Sequence, residues 1–306
     1  MFNRIIQIIG SLLASFLRTG SGSGHVFWVK LATATNYAAF HQEHYTVYEN
    51  GKPSVYNTIV DAIAAATDNA GDVIYVSQDY TETRATAITV DKIGVSIVGL
   101  GSGTKRPTIT GNGTIDVINV TAAGVTIENI RFAAPLTDAQ TSDINVAAAG
   151  CTIRNTWHLG SVATENKTDI ITIASGGDDL LVEGVEAYNV TVDCVSWLSL
   201  EAAVARPKIR KCYVQGAFST GVLMDEATAT LALVEDCVFK NTKAATAVVT
   251  FTTGNTTGVF NRVAISGRHT TLASNVVAGT GMDFFDTKAT EEAGTNGIVI
   301  PAAEAD

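Results

Sequence analysis

The chain has 306 residues, 46% hydrophobic and 16% charged, with a formal net charge of −10. That length supplies a large core, and an acidic chain without a basic stripe excludes nucleic acid as a main partner, because phosphate binding takes clustered Lys and Arg. Four cysteines without CxxC spacing and five scattered histidines point to no metal centre and no cofactor.

Residues 1–18, MFNRIIQIIGSLLASFLR, form the first unit. Phe2, Ile5, Ile6, Ile9, Leu12, Leu13, Phe16 and Leu17 recur at helical spacing. A signal peptide would need an A-x-A cleavage site, which is missing. A membrane span would need a longer apolar run, uninterrupted by Gln7. The spacing therefore predicts an amphipathic anchor helix that docks on a partner or on other copies of the chain, with a membrane-surface role as the competing reading. Residues 19–24, TGSGSG, read as a flexible linker, closing a first segment at 1–24.

Residues 25–93 form an entry region. His25 to Lys30 reads as a strand, the stretch to Ser54 as irregular loops, and 55–66, VYNTIVDAIAAA, as a short helix with Ile59, Ile63 and Ala66 on one face. Such a helix would cap an open stack of strands. AGDVIYVSQDYTET (70–83) reads as a strand and turn.

From residue 94 to 286 a short pattern recurs. Its copies are GVSIVGL, GVTIENIRF, GCTIRNTWH, LLVEGVEAYN, PKIRKCYVQG, LVEDCVFKN and VFNRVAISG, centred on Ile97, Ile127, Ile153, Val182, Ile209, Val234 and Phe260. A period of 25–30 residues means one supersecondary unit stacked on copies of itself. Within the copies apolar positions alternate at period two, which is a strand signature. After the central residue the inward columns read Leu100, Ile130, Thr156, Val185, Cys212, Cys237, Val263 and Ser102, Phe132, His158, Ala187, Val214, Phe239, Ile265. The outward column Glu128, Arg154, Glu183, Arg210, Glu235 alternates in sign and reads as a ladder that fixes register. Several copies end in Gly160, Asn189, Gly216, Asn241 or Gly267, types that tolerate a left-handed turn. Cys212 and Cys237 share a column and read as stacked core residues, with a disulfide possible but not required.

A second strand precedes each copy, near 115–120, 144–146, 170–173, 192–198, 221–224 and 248–251. No helical pattern separates the strands, so the units are not βαβ. Strands that return to one column after each coil stack in parallel, and the expected fold is an all-β, right-handed, single-stranded parallel β-helix of about seven to nine coils. Residues 287–306 read as an extended tail.

HVFWV, YNTIVDAIAAA, AGDVIYVSQDYTET and coils of the GVTIENIRF and ALVEDCVFKN type resemble the pectin-lyase-like parallel β-helix superfamily over residues 25–285. The resemblance implies fold more than activity, since that superfamily holds polysaccharide lyases, glycoside hydrolases, phage tailspikes and non-catalytic virion proteins, the last two commonly homotrimers. Its lyases hold calcium with clustered acids and use Arg or Lys as base; its hydrolases use Asp residues on neighbouring coils. Aligning the preceding strands puts Asp116, Ser142, Asp169, Asp193 and Thr220 in one outward column, with Asp143 one position off it. Asp169 and Asp193 are the candidate catalytic acids, although no Arg-rich segment accompanies them. A second outward column, Asn119, Asn145, Thr172, Ser196, Leu223, Thr250, reads as a polar ladder. Trp157, His158, Tyr188, Trp197 and Tyr213 could face a subunit interface or stack on a glycan.

An anchor, a linker and a capped β-helix most resemble a phage structural protein. The expectation is a non-enzymatic homotrimer on the virion surface that decorates or stabilises the capsid and contacts the major capsid protein through its N-terminal segment. A tailspike or fibre that binds or depolymerises a host polysaccharide is the alternative; an extracellular, secreted lyase, hydrolase or adhesin is the third reading.

Overall fold

The computed structural model describes residues 24–48, 50–136, 139–161, 166–191, 194–251, 256–269, 271–278, 281–290 and 296–298. The expected anchor helix with Phe2, Ile5, Ile6, Ile9, Leu12, Leu13 and Phe16 lies outside them, as do Asp193 and most of the tail. The chain is an all-β, right-handed parallel solenoid of about nine turns. Each coil contributes to three sheets of eleven, ten and eight strands, here called the first, second and third. A coil runs from the third sheet to the first, turns a corner into the second, and returns. In one coil these strands are Asp116–Val120, Thr126–Glu128 and Arg131–Phe132.

The register follows from the inward columns. Ile97, Ile127, Ile153, Val182, Ile209, Val234 and Phe260 pair in succession up the first sheet. All seven are buried, and the β-branched side chains among them suit the core face of a pleated sheet. The third sheet supplies Ile118, Ile144, Ile171, Leu198, Leu223 and Val249 to the same core. In the second sheet Phe132, His158, Ala187, Val214, Phe239 and Ile265 form one column. Ser102 does not join it: the short 3-10 turn Gly103–Lys105 delays the chain, and Ile109 pairs with Phe132 instead.

Six of the seven repeat copies are two strands, not one; GVSIVGL holds one, Ser96–Gly99. A left-handed residue stands between them at Asn129, Asn155, Gly184, Lys211, Asp236 and Arg262. It turns the chain from the first sheet into the second while keeping the in-out alternation on both sides. Gly160, Gly216 and Gly267, expected to be left-handed, are not. They are glycine for space. Asn189 and Asn241 flank Gly216 in register. The Asn189 amide donates to the carbonyls of Thr191 and Ala217 at 2.6 Å, and that of Asn241 to Phe218 and Ala247 at 3.1 and 2.9 Å. These buried amides satisfy the inside of the turn. A Cβ on Gly216 would overlap Asn189.

The helix α1 spans Tyr37–His44, where loops were expected. It lies on the first strand through Trp28, whose ring stacks on His44 at 4.2 Å. The capping helix α2 spans Ile59–Ala65, shorter than 55–66 because Val55–Tyr56 pairs as a strand with Val26–Val29. Thr58 caps it, accepting from the Asp61 N–H at 3.1 Å. Ile59, Ala62, Ile63 and Ala65 are buried against the first coil. At the other end Lys288–Thr290 pairs with the preceding coil, so the stack continues into the expected tail.

Candidate functional site

Asp116 pairs with Ser142 in the third sheet and Asp169 stands at the same position on the next coil, but the column expected to face outward is mostly buried, and the neighbour of Asp169 on the following coil is Ser196. The strand there is Ser196–Leu200, later than the expected 192–198. The same shift puts Ser199 and Met224, not Ser196 and Leu223, in line with Asn145, Thr172 and Thr250. Asp193 lies outside the described residues. The Ser196 hydroxyl donates to Asp169 Oδ1 at 2.6 Å and Ser142 donates to Asp116 Oδ1 at 2.8 Å. Asp169 is only 3% exposed. Burial pushes its carboxyl up to about 7, opposed by the Ser196 hydroxyl and reinforced by the charges of Glu201 and Glu226. A carboxylic acid poised there could donate a proton near neutrality, but the expected partner acid is not shown beside it. Among the described residues no cluster of three or more His, Cys, Asp or Glu is placed to hold a metal ion.

Between this column and the core column of Ile118, Ile144, Ile171 and Leu198 lies a further buried position. Val117, Ile170 and Trp197 are fully buried, and so is Asp143. Asp143 accepts from Lys167 Nζ at 2.6 Å and from the Gln140 amide at 2.8 Å on Oδ1, and contacts His158 Nδ1 at 2.9 Å through Oδ2. His158 Nε2 lies 2.9 Å from Thr156 Oγ1, and its ring stacks on Phe132 at 4.8 Å. Burial alone would raise the Asp143 carboxyl, but Lys167 and His158 outweigh it and hold it below the usual range. Burial lowers His158 more than Asp143 raises it, so the imidazole is neutral. A carboxylate only accepts, so Nδ1 carries the proton and Nε2 accepts from Thr156. This is the connectivity of a nucleophile, base and orienting acid. Thr156, His158 and Asp143 are, however, all buried, and a nucleophile without access to substrate does no chemistry. The network is structural: it satisfies a buried charge pair inside the coil.

The aromatics divide. Trp197, expected at the surface, packs in the core 5.6 Å from Phe239, and His158 is enclosed as described. Trp157, Tyr188 and Tyr213 remain on the outer face of the second sheet, with successive ring centroids 6.1 Å apart. Arg131 stands 4.7 Å over the Trp157 ring. Tyr213 and Val238 are each 39% exposed, and they pair in register. This strip could stack on planar groups or pack on another protein surface.

No protein-family model matches the chain, and no curated protein matches it. Sequence reasoning missed the buried Asp143, His158 and Lys167 network. Its signal was present: His158 stands in an inward column between Phe132 and Ala187, where a polar residue demands a partner.

Proposed function

We propose that the protein is a non-enzymatic structural component of a phage particle, a homotrimer that decorates or stabilises the capsid. The observation that carries this reading is the outward strip of Trp157, Tyr188, Tyr213 and Val238 on a parallel solenoid. Partly exposed aromatics on successive strands of one sheet suit an interface between copies, where such residues are enriched. The resemblance to virion β-helix proteins and the apolar residues 1–18 support attachment to the major capsid protein at the virion surface.

Sedimentation of the full chain tests this. A trimer is expected, and Tyr188→Ser with Tyr213→Ser should raise its dissociation constant at least tenfold while leaving the strand content unchanged. A wild-type monomer at high concentration sinks the proposal. A second reading rests on the same strip: rings at that spacing, with Arg131 alongside, suit the faces of a sugar chain. A tailspike-like glycan binder would retain affinity for host polysaccharide as wild type and lose it in Trp157→Ala.

A further inference from the structure

A cavity of about 370 Å³ opens beside the first coil, between the turns that follow two neighbouring strands of the first sheet. That is the size of a small-molecule site. Lys30 follows Val26–Val29 and Ser77 follows Val73–Val76; the Ser77 N–H donates to the Val29 carbonyl at 2.9 Å, which holds the two turns together. Lys30, Ser77 and Tyr80 are buried lining residues, while Thr35, Asn36 and Gln78 are exposed at the rim.

Lys30 is 6% exposed. Among the described residues no carboxylate pairs with its ammonium, which lies 5.1 Å from the centre of the Phe40 ring. An aromatic face attracts a cation without neutralising it. The other ionisable groups lining the cavity are engaged: Asp79 pairs with Lys105 at 3.0 Å, and the Tyr80 hydroxyl donates to Glu82 at 2.8 Å. Thr35, Asn36, Ser77 and Gln78 have no side-chain hydrogen bond to another described residue, and Asn36 opens α1 without capping it. The Lys30 stem is buried and its ammonium faces the cavity without a counter-charge. Here it is accompanied by unused hydroxyl and amide donors and by the positive end of a helix.

We propose that this cavity binds a small ligand through an oxyanion, a carboxylate or a phosphate, which pairs with Lys30 and accepts hydrogen bonds from Ser77, Asn36 and Gln78. This inference is independent of the assembly role. Charge-assisted bonds of this kind are stronger than neutral ones.

The test is calorimetric titration of the full chain with acetate and with inorganic phosphate, at an ionic strength held constant with chloride. Saturable binding of at least one is expected, and the tighter of the two assigns the group. Lys30→Met should weaken it at least tenfold. Gln78→Glu places a negative charge on the exposed rim without touching the core, and should weaken it at least fivefold even if Lys30→Met fails to fold. Absence of saturable binding to both anions overturns the proposal, as does a Gln78→Glu protein that binds as tightly as wild type.

Discussion

Gly216 shows how one atom can be decisive in a stacked fold. Its φ is ordinary, so its requirement is not conformational. The turn beneath it is filled by the Asn189 side chain, and the turn above by Asn241. Adding a Cβ presses it on Asn189, and crowding a filled interior costs roughly 1–3 kcal/mol. Gly216→Ala should lower stability by about that amount in denaturant titration. Gly184 sits at a left-handed corner, with φ 63°, where a Cβ would also press on Asn155 Oδ1 at 2.6 Å. Lys211, Asp236 and Arg262 occupy the same corner on later coils with φ near 55°. There the side chains form ion pairs across coils, Arg262 with Asp236 at 2.7 Å and Lys211 with Glu183 at 3.3 Å. Such exposed pairs contribute little individually, but they hold neighbouring coils in line.

At the scale of the strand, the two faces of the first sheet have opposite sensitivities. Ile153 is buried between Ile127 and Val182, whereas Arg154 beside it faces out and pairs with Glu128 at 2.7 Å. Ile153→Asp buries a charge without a partner and should unfold the centre of the stack, or cost more than about 4 kcal/mol. Arg154→Ala removes an exposed ion pair and should cost less than about 1 kcal/mol. Circular dichroism melts of the two variants check this, and equal losses would contradict the register. The charge ladder itself was readable because period two and a coil length of 25–30 residues place like positions in contact. The split of six copies into two strands was less legible. Asn, Gly, Lys, Asp and Arg all serve at the left-handed corner, so no single residue type marks it.

For the whole molecule, acid response is a sum of opposing groups. Asp169 has a folded pKa of about 7, above the usual carboxylate value. The folded state therefore holds its proton where the unfolded state has released it. Stability from this group is complete below about pH 4 and is lost as pH rises to about 7. Asp143 and His158 act in the other sense: a lowered carboxylate and a lowered imidazole both lose stability as pH falls. Asp169→Asn leaves those two in place. Relative to wild type it should gain stability between pH 4 and 8, by on the order of 2–4 kcal/mol at the upper end. Paired urea titrations across that range give the difference, and a flat difference would show that Asp169 titrates normally. The stack also explains why such changes act beyond their own coil: each coil contacts only its neighbours, so a weak coil divides the solenoid.

The amino-acid sequence by itself determined the repeat, the parallel stacking, the inward columns and the charge ladder. All of these rest on periodicity, which one dimension records. The capping helix was legible from its apolar face, although Val55–Tyr56 was drawn into a strand by pairing with Trp28 and Val29. Only the tertiary structure decided what depends on loop length and on both sides of a corner. The register of the strand at Ser196 put Trp197 into the core and set Ser196 against Asp169. Lys167, in a segment without periodicity, became the buried counter-ion of Asp143. Lys30 and Ser77 came together because the strands before them are neighbours although 47 residues apart in sequence. Periodicity fixes which strands meet, while the turns between them, whose lengths vary freely, fix which polar side chains do.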